Sequence, residues 1–304
     1  MRRRHPFAIR VFLFVLTNLA VLAVFALVLW ALRAAGLFDF TQTGYSYGAL
    51  LTFAAIFGFG GALFSLAISK WVAKRMTRAR VIERPSNETE MWLLETVRQL
   101  SRRSGIKMPE VAIYPSNDMN AFATGARRNH ALLAVSTGLL ARMNREEVEA
   151  VLGHEVSHAA NGDMITLTLI QGVLNTFVIF LSRIVGTVVD RAIFRTERGH
   201  GPGYLLTVIV TQLALGVLAS IVIFWFARRR ELRADSGSAE LLGPGPMISA
   251  LERLKGSHGP AQLPDSVKSF GIRGGAGHGL RRLFMSHPPL EERIARLEGM
   301  WGRA

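Results

Sequence analysis

The chain has 304 residues, of which 50% are hydrophobic and 19% are charged, with a formal net charge of +14 and no cysteine. A charged fraction below the roughly 25% of ordinary soluble domains indicates a membrane protein. The lack of cysteine excludes disulfides, thiolate metal sites and a cysteine nucleophile, so a metal here must be held by His, Glu or Asp.

The basic residues lie beside apolar stretches, at 2–10, 70–80 and 228–230. Lys and Arg in such places set the orientation of membrane helices and contact anionic headgroups. No aromatic-interleaved basic patch or nucleic-acid motif accompanies them, which argues against a nucleic-acid partner. The expected partner of this charge is therefore the lipid bilayer.

Four uncharged apolar stretches predict about four transmembrane helices, at residues 11–32, 44–69, 164–182 and 203–227. A spanning helix needs about 20 residues, so the third stretch, which contains Gln171 and Asn175, is marginal. We expect the first stretch to be an uncleaved anchor, because its apolar core exceeds the about 7–15 residues of a signal peptide.

The charges also predict the topology. Four arginines at 2–10 place the N-terminus in the cytosol, and the sparsely charged loop at 33–43 is expected to be translocated. Residues 76–163 are then cytosolic. The basic segment 183–202 leaves two interpretations, an apolar hairpin that does not cross or two full spans, and we favour two spans. Both return the chain to its starting side at Arg228.

The segments between and after the apolar stretches predict a small α+β region. Helices are expected at 88–104, at 228–242 and at 289–298, with a strand at 111–114 and a hairpin of strands at 121–125 and 131–136. A further helix begins with Asn144 as its N-cap and ends at Asn161-Gly162. The Gly- and Pro-rich residues 256–279 are expected to form a mobile loop.

This order predicts four segments in a mostly α integral membrane protein. They are a membrane anchor at 1–75, a cytosolic α+β region at 76–163, an apolar helical pair at 164–227, and a second cytosolic region at 228–304.

The central motif is His154-Glu155-Val156-Ser157-His158. Residues four apart share a helix face, so His154 and His158 can present two imidazole nitrogens to one zinc ion. Glu155 lies about 100° around the helix, where it can take a proton from a water that zinc acidifies and later pass it to the leaving amine. Two ordinary surface histidines are the alternative, but the small and apolar residues around the motif disfavour it.

A catalytic zinc needs a third protein ligand and an open position. Glu231 and Asp235 share a face of the predicted helix at 228–242. Glu231 can bind the metal, and Asp235 can accept a hydrogen bond from a ligand imidazole. The alternative is a solvated charged helix after a membrane span. Asp163 either supports the site or caps the next helix, and the sequence leaves both open.

This pattern resembles the HtpX-type membrane metallopeptidases, which are gluzincins of the Ste24/Oma1-like family, through residues 154–158, 161–163 and 231–235. The resemblance covers nearly the whole chain. It implies that the cytosolic protease regions at 76–163 and 228–304 form a zincin-like α+β metalloprotease domain with a small β-sheet. It implies one Zn²⁺ per chain with His154, His158 and Glu231 as ligands and Glu155 as the catalytic residue. It also implies an endopeptidase that cuts misfolded or damaged membrane proteins at the cytosolic side of the inner membrane, in quality control under stress.

Two further segments match that family. Asn120, Ala121, Phe122, Ala123 and Thr124 resemble its strand beside the cleft, which would bind an extended substrate through backbone hydrogen bonds, although a plain core hairpin is the alternative. Residues 286–289 with Arg293 resemble its C-terminal His-Pro segment. There His287 would donate to the developing oxyanion, and an incidental His before a helix is the alternative. The five remaining histidines, His5, His130, His200, His258 and His278, are expected to be solvated.

Three rival functions are disfavoured. An inactive scaffold is disfavoured by the intact Glu155 and ligand set. A zinc transporter would need His, Asp or Glu within its spans, and the apolar stretches contain none. A soluble-type peptidase is disfavoured because the candidate ligands lie on both sides of the third and fourth stretches.

Overall fold

The computed structural model describes residues 47–196, 201–256 and 285–301. These residues are mostly helical and include one small mixed sheet, as predicted. The α-helices are α1 Tyr47–Thr77, α2 Glu88–Arg103, α3 Thr137–Arg142, α4 Arg145–Asn161, α5 Asp163–Phe194, α6 Pro202–Leu242, α7 Pro244–Gly256 and α8 Leu290–Trp301. The strands are β1 Arg80–Val81, β2 Glu110–Tyr114, β3 Ala121–Thr124 and β4 Leu132–Ser136.

Three predicted segments lie outside the described residues. They are the apolar stretch at 11–32, the loop at 33–43 and nearly all of the loop at 256–279. The same holds for His5, His200, His258 and His278. His130 is exposed, as expected.

The four strands form one sheet in the order β1-β2-β4-β3. The predicted hairpin is confirmed, because β3 and β4 pair antiparallel with Ala121 opposite Val135 and Thr124 opposite Leu132. β2 pairs parallel with β4 and antiparallel with the two-residue β1. Among the described strands β3 therefore has a neighbour on one side only.

Cap residues fix the bounds of the helix that carries the metal-binding motif. The Asn144 side chain accepts from the Glu147 N–H, and the Glu147 side chain accepts from the Asn144 N–H, which completes a capping box. At the other end Gly162 has φ 67°, a left-handed conformation that glycine adopts at low cost. Both predicted ends of α4 are confirmed.

Two compact units can be distinguished in the chain, and all the candidate site residues belong to the second, which includes residues 60–172, 217–256 and 285–301. Its core packs α2, α4, α7 and α8 with the sheet. Buried members include Leu93, Val97, Leu152, Leu251 and Leu297. Burial of each such side chain contributes about 1.5–3 kcal/mol, and α4 is held within this core.

The first unit consists, among the described residues, of 47–59, 173–196 and 201–216. Its helices approach closely at glycines: a Cβ on Gly58 would lie 2.5 Å from the Thr176 backbone nitrogen. The Arg183 guanidinium lies 4.9 Å from the centre of the Phe53 ring, and Asp190 Oδ2 accepts from the Gly201 N–H at 2.6 Å. Glycine contacts of this kind are common between membrane helices.

Three described helices, α1, α5 and most of α6, are long and apolar enough to cross a membrane. Large apolar side chains stay exposed along α1 and α6, such as Phe64 and Leu213, and a bilayer would cover them. The third apolar stretch was marginal by sequence, but α5 has 32 residues, because the helix continues through Arg183 to Phe194. At 1.5 Å per residue α5 is about 48 Å long, which exceeds the thickness of a bilayer core. This length favours two full spans, α5 and the apolar part of α6, over a shallow hairpin.

Candidate metal centre

The two motif histidines lie on the buried face of α4. Their Nε2 atoms are 3.1 Å apart, as expected for residues one helical turn apart. His154, Glu155 and His158 are all buried, with 0%, 2% and 4% of their surfaces exposed. Burial of three titratable groups on one turn requires partners for them.

Close contact between α4 and α6 brings the third candidate ligand to this face. A Cβ on Gly237 would lie 2.8 Å from Ser157 Cβ, so the glycine permits the approach. Ser238 Oγ donates to the Ala150 carbonyl at 2.7 Å. Glu231 lies six residues before Gly237 on the same helix, and its carboxylate reaches the two histidines.

The Glu231 carboxylate completes a compact cluster. Its Oε2 lies 3.4 Å from His154 Nε2, and its Oε1 lies 3.2 Å from His158 Nε2. One ligand atom from each residue lies within 4.8 Å of the others. Glu231 is 1% exposed, and no donor among the described residues is aligned for a hydrogen bond to either of its oxygens. A cation bound by two imidazoles and this carboxylate would satisfy them, and this donor set suits zinc.

Two outer carboxylates face the other ring nitrogens. Asp163 Oδ2 forms a 2.8 Å hydrogen bond with His158 Nδ1. Asp235 Oδ1 lies 2.9 Å from His154 Nδ1, although this contact is not aligned as a hydrogen bond. A proton on each Nδ1 is favoured by the carboxylate and leaves the Nε2 lone pair directed at the centre. The structure thus places Asp235 beside the imidazole of His154, where its expected role is to accept a hydrogen bond from a ligand histidine.

Asp163 has contacts that suit both roles the sequence left open, support of the metal site and stabilisation of the start of the next helix. It is the first residue of α5, where a carboxylate is favourable for the helix dipole. It is also buried against His158.

Arg293 was named with the C-terminal His-Pro segment by resemblance, but its contact with Asp235 was not predicted. Its Nε and Nη2 lie 2.8 and 2.6 Å from Asp235 Oδ2 and Oδ1, and its side chain has no exposed surface. Burial alone would lower the pKa of Arg293, but the contact with Asp235 outweighs it and raises that pKa. The chain Arg293–Asp235–His154 therefore fixes one ligand from behind. A charged residue on a C-terminal helix carries no sequence signal of such burial.

His287, just before α8, also approaches the Glu231 carboxylate. Its Nδ1 is 2.9 Å from Glu231 Oε2, and the residue is 3% exposed. Arg230, which sequence reasoning also missed, is buried with its Nε 3.4 Å from Glu231 Oε1. Arg228 donates to the Met285 carbonyl at 2.9 Å and helps hold the segment that carries His287.

Glu155 contacts an environment that favours its protonated form. Desolvation by burial raises the pKa of this carboxyl, the nearby histidines oppose that shift, and Glu231 adds to it. A raised pKa brings a carboxylate closer to the range in which it both accepts and donates a proton near neutral pH.

The strand segment 120–124 lies on the site side of the sheet. β3 packs against α4, and its side chains are buried. The Asn120 side chain donates to the Tyr114 hydroxyl at 3.0 Å, and its backbone N–H donates to Ser136 Oγ. The side chains thus belong to the core, while the position of β3 at the end of the sheet keeps the edge-strand interpretation open.

Comparisons with known proteins agree with this geometry. The model of peptidase family M48 matches residues 87–301. The chain is 60% identical over 291 residues to the Protease HtpX of Thioalkalivibrio sulfidiphilus, which covers 96% of this chain and 99% of that protein. It is 59% identical over 289 residues to the Protease HtpX homolog of Nitrosomonas eutropha, with coverage of 95% and 99%.

Among solved structures, Ste24p of S. mikatae matches with a TM-score of 0.58 and 17% identity. The match covers 82% of this chain and 58% of that chain. At this level of identity, the likeness shows a shared fold.

Proposed function

The chain belongs to peptidase family M48, and from this premise we propose that it is a zinc endopeptidase of the cytoplasmic membrane that cuts misfolded or damaged membrane proteins on the cytosolic side. The family and the apolar helices together make the protein a membrane metalloprotease that acts on proteins.

One observation carries the proposal: His154, His158 and Glu231 meet in a buried cluster with Glu155 next to them. We propose that these three residues hold one Zn²⁺ per chain. When bound, the ion supplies a Lewis acid that polarises a peptide carbonyl and acidifies an attacking water.

The protein groups perform the proton transfers. Glu155 accepts a proton from the attacking water and delivers it to the leaving amine, which its burial and raised pKa favour. His287 lies beside Glu231 and donates a hydrogen bond to the oxygen that gains negative charge. Asp163 and Asp235 keep the two imidazoles oriented. The edge of β3 that has no partner among the described strands holds the substrate in an extended conformation.

The proposed layout keeps four segments: an anchor at 1–75, protease regions at 76–163 and 228–304, and an apolar helical pair at 164–227. Basic residues at the C-terminal end of α1 and after the apolar part of α6 support a cytosolic location of the protease regions. They include Lys74, Arg75, Arg228 and Arg229.

The test is cleavage of an unfolded model protein by the detergent-purified full chain, with and without added Zn²⁺. Glu155→Gln is expected to abolish cleavage while zinc still binds. Glu146→Gln, an exposed glutamate on the same helix, is the matched control and should keep wild-type activity. Equal cleavage by wild type and Glu155→Gln would refute the role of Glu155, and zinc binding without cleavage by any form would support a scaffold.

The side of action has its own test, which the absence of native cysteine simplifies. Arg103→Cys introduces one exposed thiol at the end of α2. A membrane-impermeant thiol reagent should label it only after spheroplasts are permeabilised. Labelling in intact spheroplasts would place this region on the outer side.

A further inference from the structure

The loop that joins β3 to β4 carries a group of basic residues at the surface. Residues 126–130, which we call the basic loop, are exposed throughout and include Arg127, Arg128 and His130. The last three residues of the basic loop form a single turn of 3₁₀ helix. The metal centre uses none of these side chains, so a role for the basic loop must come from what lies around it.

α1 holds the basic loop at the height where this helix leaves its apolar stretch. Lys70 is the first charged residue after the uncharged residues 44–69, and such a residue marks the boundary between the hydrocarbon core and the headgroups. The Lys70 ammonium donates to the His130 carbonyl oxygen at 3.4 Å and to Glu110 Oε1 at 2.6 Å. The basic loop therefore lies beside the residue at which α1 reaches the lipid headgroups.

The start of α5 lies beside the same loop. Arg127 and Arg128 line one small cavity together with Met164 and Ile165, which belong to the first turn of α5. Both α1 and α5 are long and apolar enough to cross a membrane. Because α1 ends its apolar part at the basic loop and α5 begins there, the bilayer surface passes close to the loop.

The sheet shows which residues lie away from that surface. Glu110 and Thr124 both pair with Leu132, so these three residues mark the loop end of the sheet. α3 follows β4 at its other end, and the five residues of β4 extend over about 13 Å at 3.3 Å per residue. The length of the sheet therefore separates α3 from the basic loop, and α3 offers a matched control position.

The charge of the basic loop is not neutralised by the carboxylate next to it. The two oxygens of Glu110 already pair with Lys70 and Lys74, at 2.6 and 2.7 Å. Arg127 is exposed, and its guanidinium has no carboxylate partner among the residues that the structure describes. Lys107 adds another exposed base, because its backbone N–H donates to a side chain of the loop at 3.2 Å. A guanidinium can bind phosphate oxygens through two parallel hydrogen bonds.

We propose that the basic loop binds the phosphate groups of anionic phospholipids in the leaflet where α1 ends, with Arg127 and Arg128 as the contacts. This inference goes beyond the proposed peptidase function and depends only on α1 spanning the membrane. The two spanning helices beside the loop favour a lipid headgroup over a free anion as the source of the phosphate. Because the loop follows β3 directly, the contact holds the Thr124 end of that strand at the bilayer surface.

The test uses the full chain in phosphatidylcholine nanodiscs, with one introduced cysteine as the site of a fluorophore, because the chain has no cysteine of its own. Ala126→Cys places the label on the basic loop. Ala141→Cys places it on α3 and is the matched control, since both alanines are exposed. A trace of phosphatidylglycerol or of phosphatidylcholine carries a nitroxide near its headgroup, which quenches a fluorophore in contact with that lipid.

At position 126, spin-labelled phosphatidylglycerol should quench at least about fivefold more than spin-labelled phosphatidylcholine, which is the contribution of one basic residue at an anionic surface. At position 141, neither lipid should quench. Equal quenching by the two lipids at position 126, or equal quenching at the two positions, would overturn the proposal.

Charge variants of Arg127 identify the contact. Arg127→Glu should lower the preference for phosphatidylglycerol at position 126 by about fivefold or more, whereas Arg127→Lys keeps the charge and should retain most of it. Arg145→Glu is the control. Arg145 is exposed in the first turn of α4, at the end remote from the loop, and glutamate suits the helix dipole there. If Arg127→Glu and Arg145→Glu give the same quenching, Arg127 is not a lipid contact.

The source of the phosphate is tested with excess inorganic phosphate against chloride at the same ionic strength, so that screening is equal in both. The preference for phosphatidylglycerol should be the same in the two salts. Its selective loss in phosphate would mean that the loop binds a free anion, and the lipid assignment would be wrong. No cleavage is measured in these experiments, so the lipid contact and the proposed peptidase function can fail independently.

Discussion

Removal of the Arg293 side chain tests whether the buried ion pair behind His154 is formed. The Arg293→Met variant keeps the volume and apolar stem of the residue but leaves the Asp235 carboxylate, which is also buried, without its two hydrogen bonds of 2.8 and 2.6 Å. Breaking a buried pair from one side costs about 3–5 kcal/mol. For a chain of this size, that is a fall in Tm of about 6–20 °C.

The double variant Asp235→Asn/Arg293→Met removes both charges. It should be less destabilised than the sum of the two single variants, because each single variant leaves one buried charge unpaired. The measurement is thermal unfolding of the detergent-purified chain, first with a chelator and then with excess zinc, so that the effect on the fold is separated from the effect on metal binding.

Arg296→Met is the control, since Arg296 is exposed on the same helix as Arg293. A Tm for Arg293→Met within about 2 °C of this control would refute the reasoning, because breaking a buried ion pair must cost more than removing a surface arginine. The reasoning would also be refuted if the destabilisation of the double variant equalled the sum for the two single variants, since the two side chains would then not interact.

Two other predictions follow from single contacts. Asp163→Asn should weaken zinc binding about 10- to 100-fold in chelator competition, because His158 loses a charged acceptor at Nδ1; exposed Glu252→Gln should leave it unchanged. Hydrogen bonds from Arg80 and from the Ser86 backbone lower the pKa of Glu90 from 4.5 to about 2. Glu90 therefore stabilises the fold above pH 4.5, and this contribution is lost as pH falls towards 2. The difference in Tm between wild type and Glu90→Gln should shrink over that window, and a constant difference would contradict the assignment.

Local signals predicted much of the fold. The Asn144 cap and Gly162 bracket α4 because capping depends on neighbouring backbone groups, which the sequence displays directly. The hairpin of β3 and β4 is also local. By contrast, the parallel pairing of β2 with β4 is non-local, and β1 has two residues, too few for any periodic pattern.

Two helices were also missed for identifiable reasons. α3 has six residues, too few for a clear periodic pattern, and α7 begins with Pro244-Gly245-Pro246, which are residue types that disfavour a helix interior. A proline in the first turn of a helix is tolerated because its missing N–H has no intrahelical acceptor there.

In the candidate site, the sequence predicted the residues whose spacing is periodic on one helix. His154 and His158 were assigned by their i, i+4 relation, and Glu231 and Asp235 by the same spacing. The contacts of Arg293, Arg230 and His287 depend on how distant segments pack, and charge alone indicates an exposed residue. Their burial could be seen only in the structure.

His158 on α4 and Glu231 on α6 are separated in sequence by a long segment that contains α5 and the apolar part of α6. A metal ion bound by His154, His158 and Glu231 would act as a cross-link that closes this segment into a loop. Closing a long loop removes conformational freedom from the unfolded chain, so binding energy becomes folding energy. Metal loading and the assembly of the protease helices would then be a single event, and a chain stripped of its ion would be the form most open to degradation by other proteases.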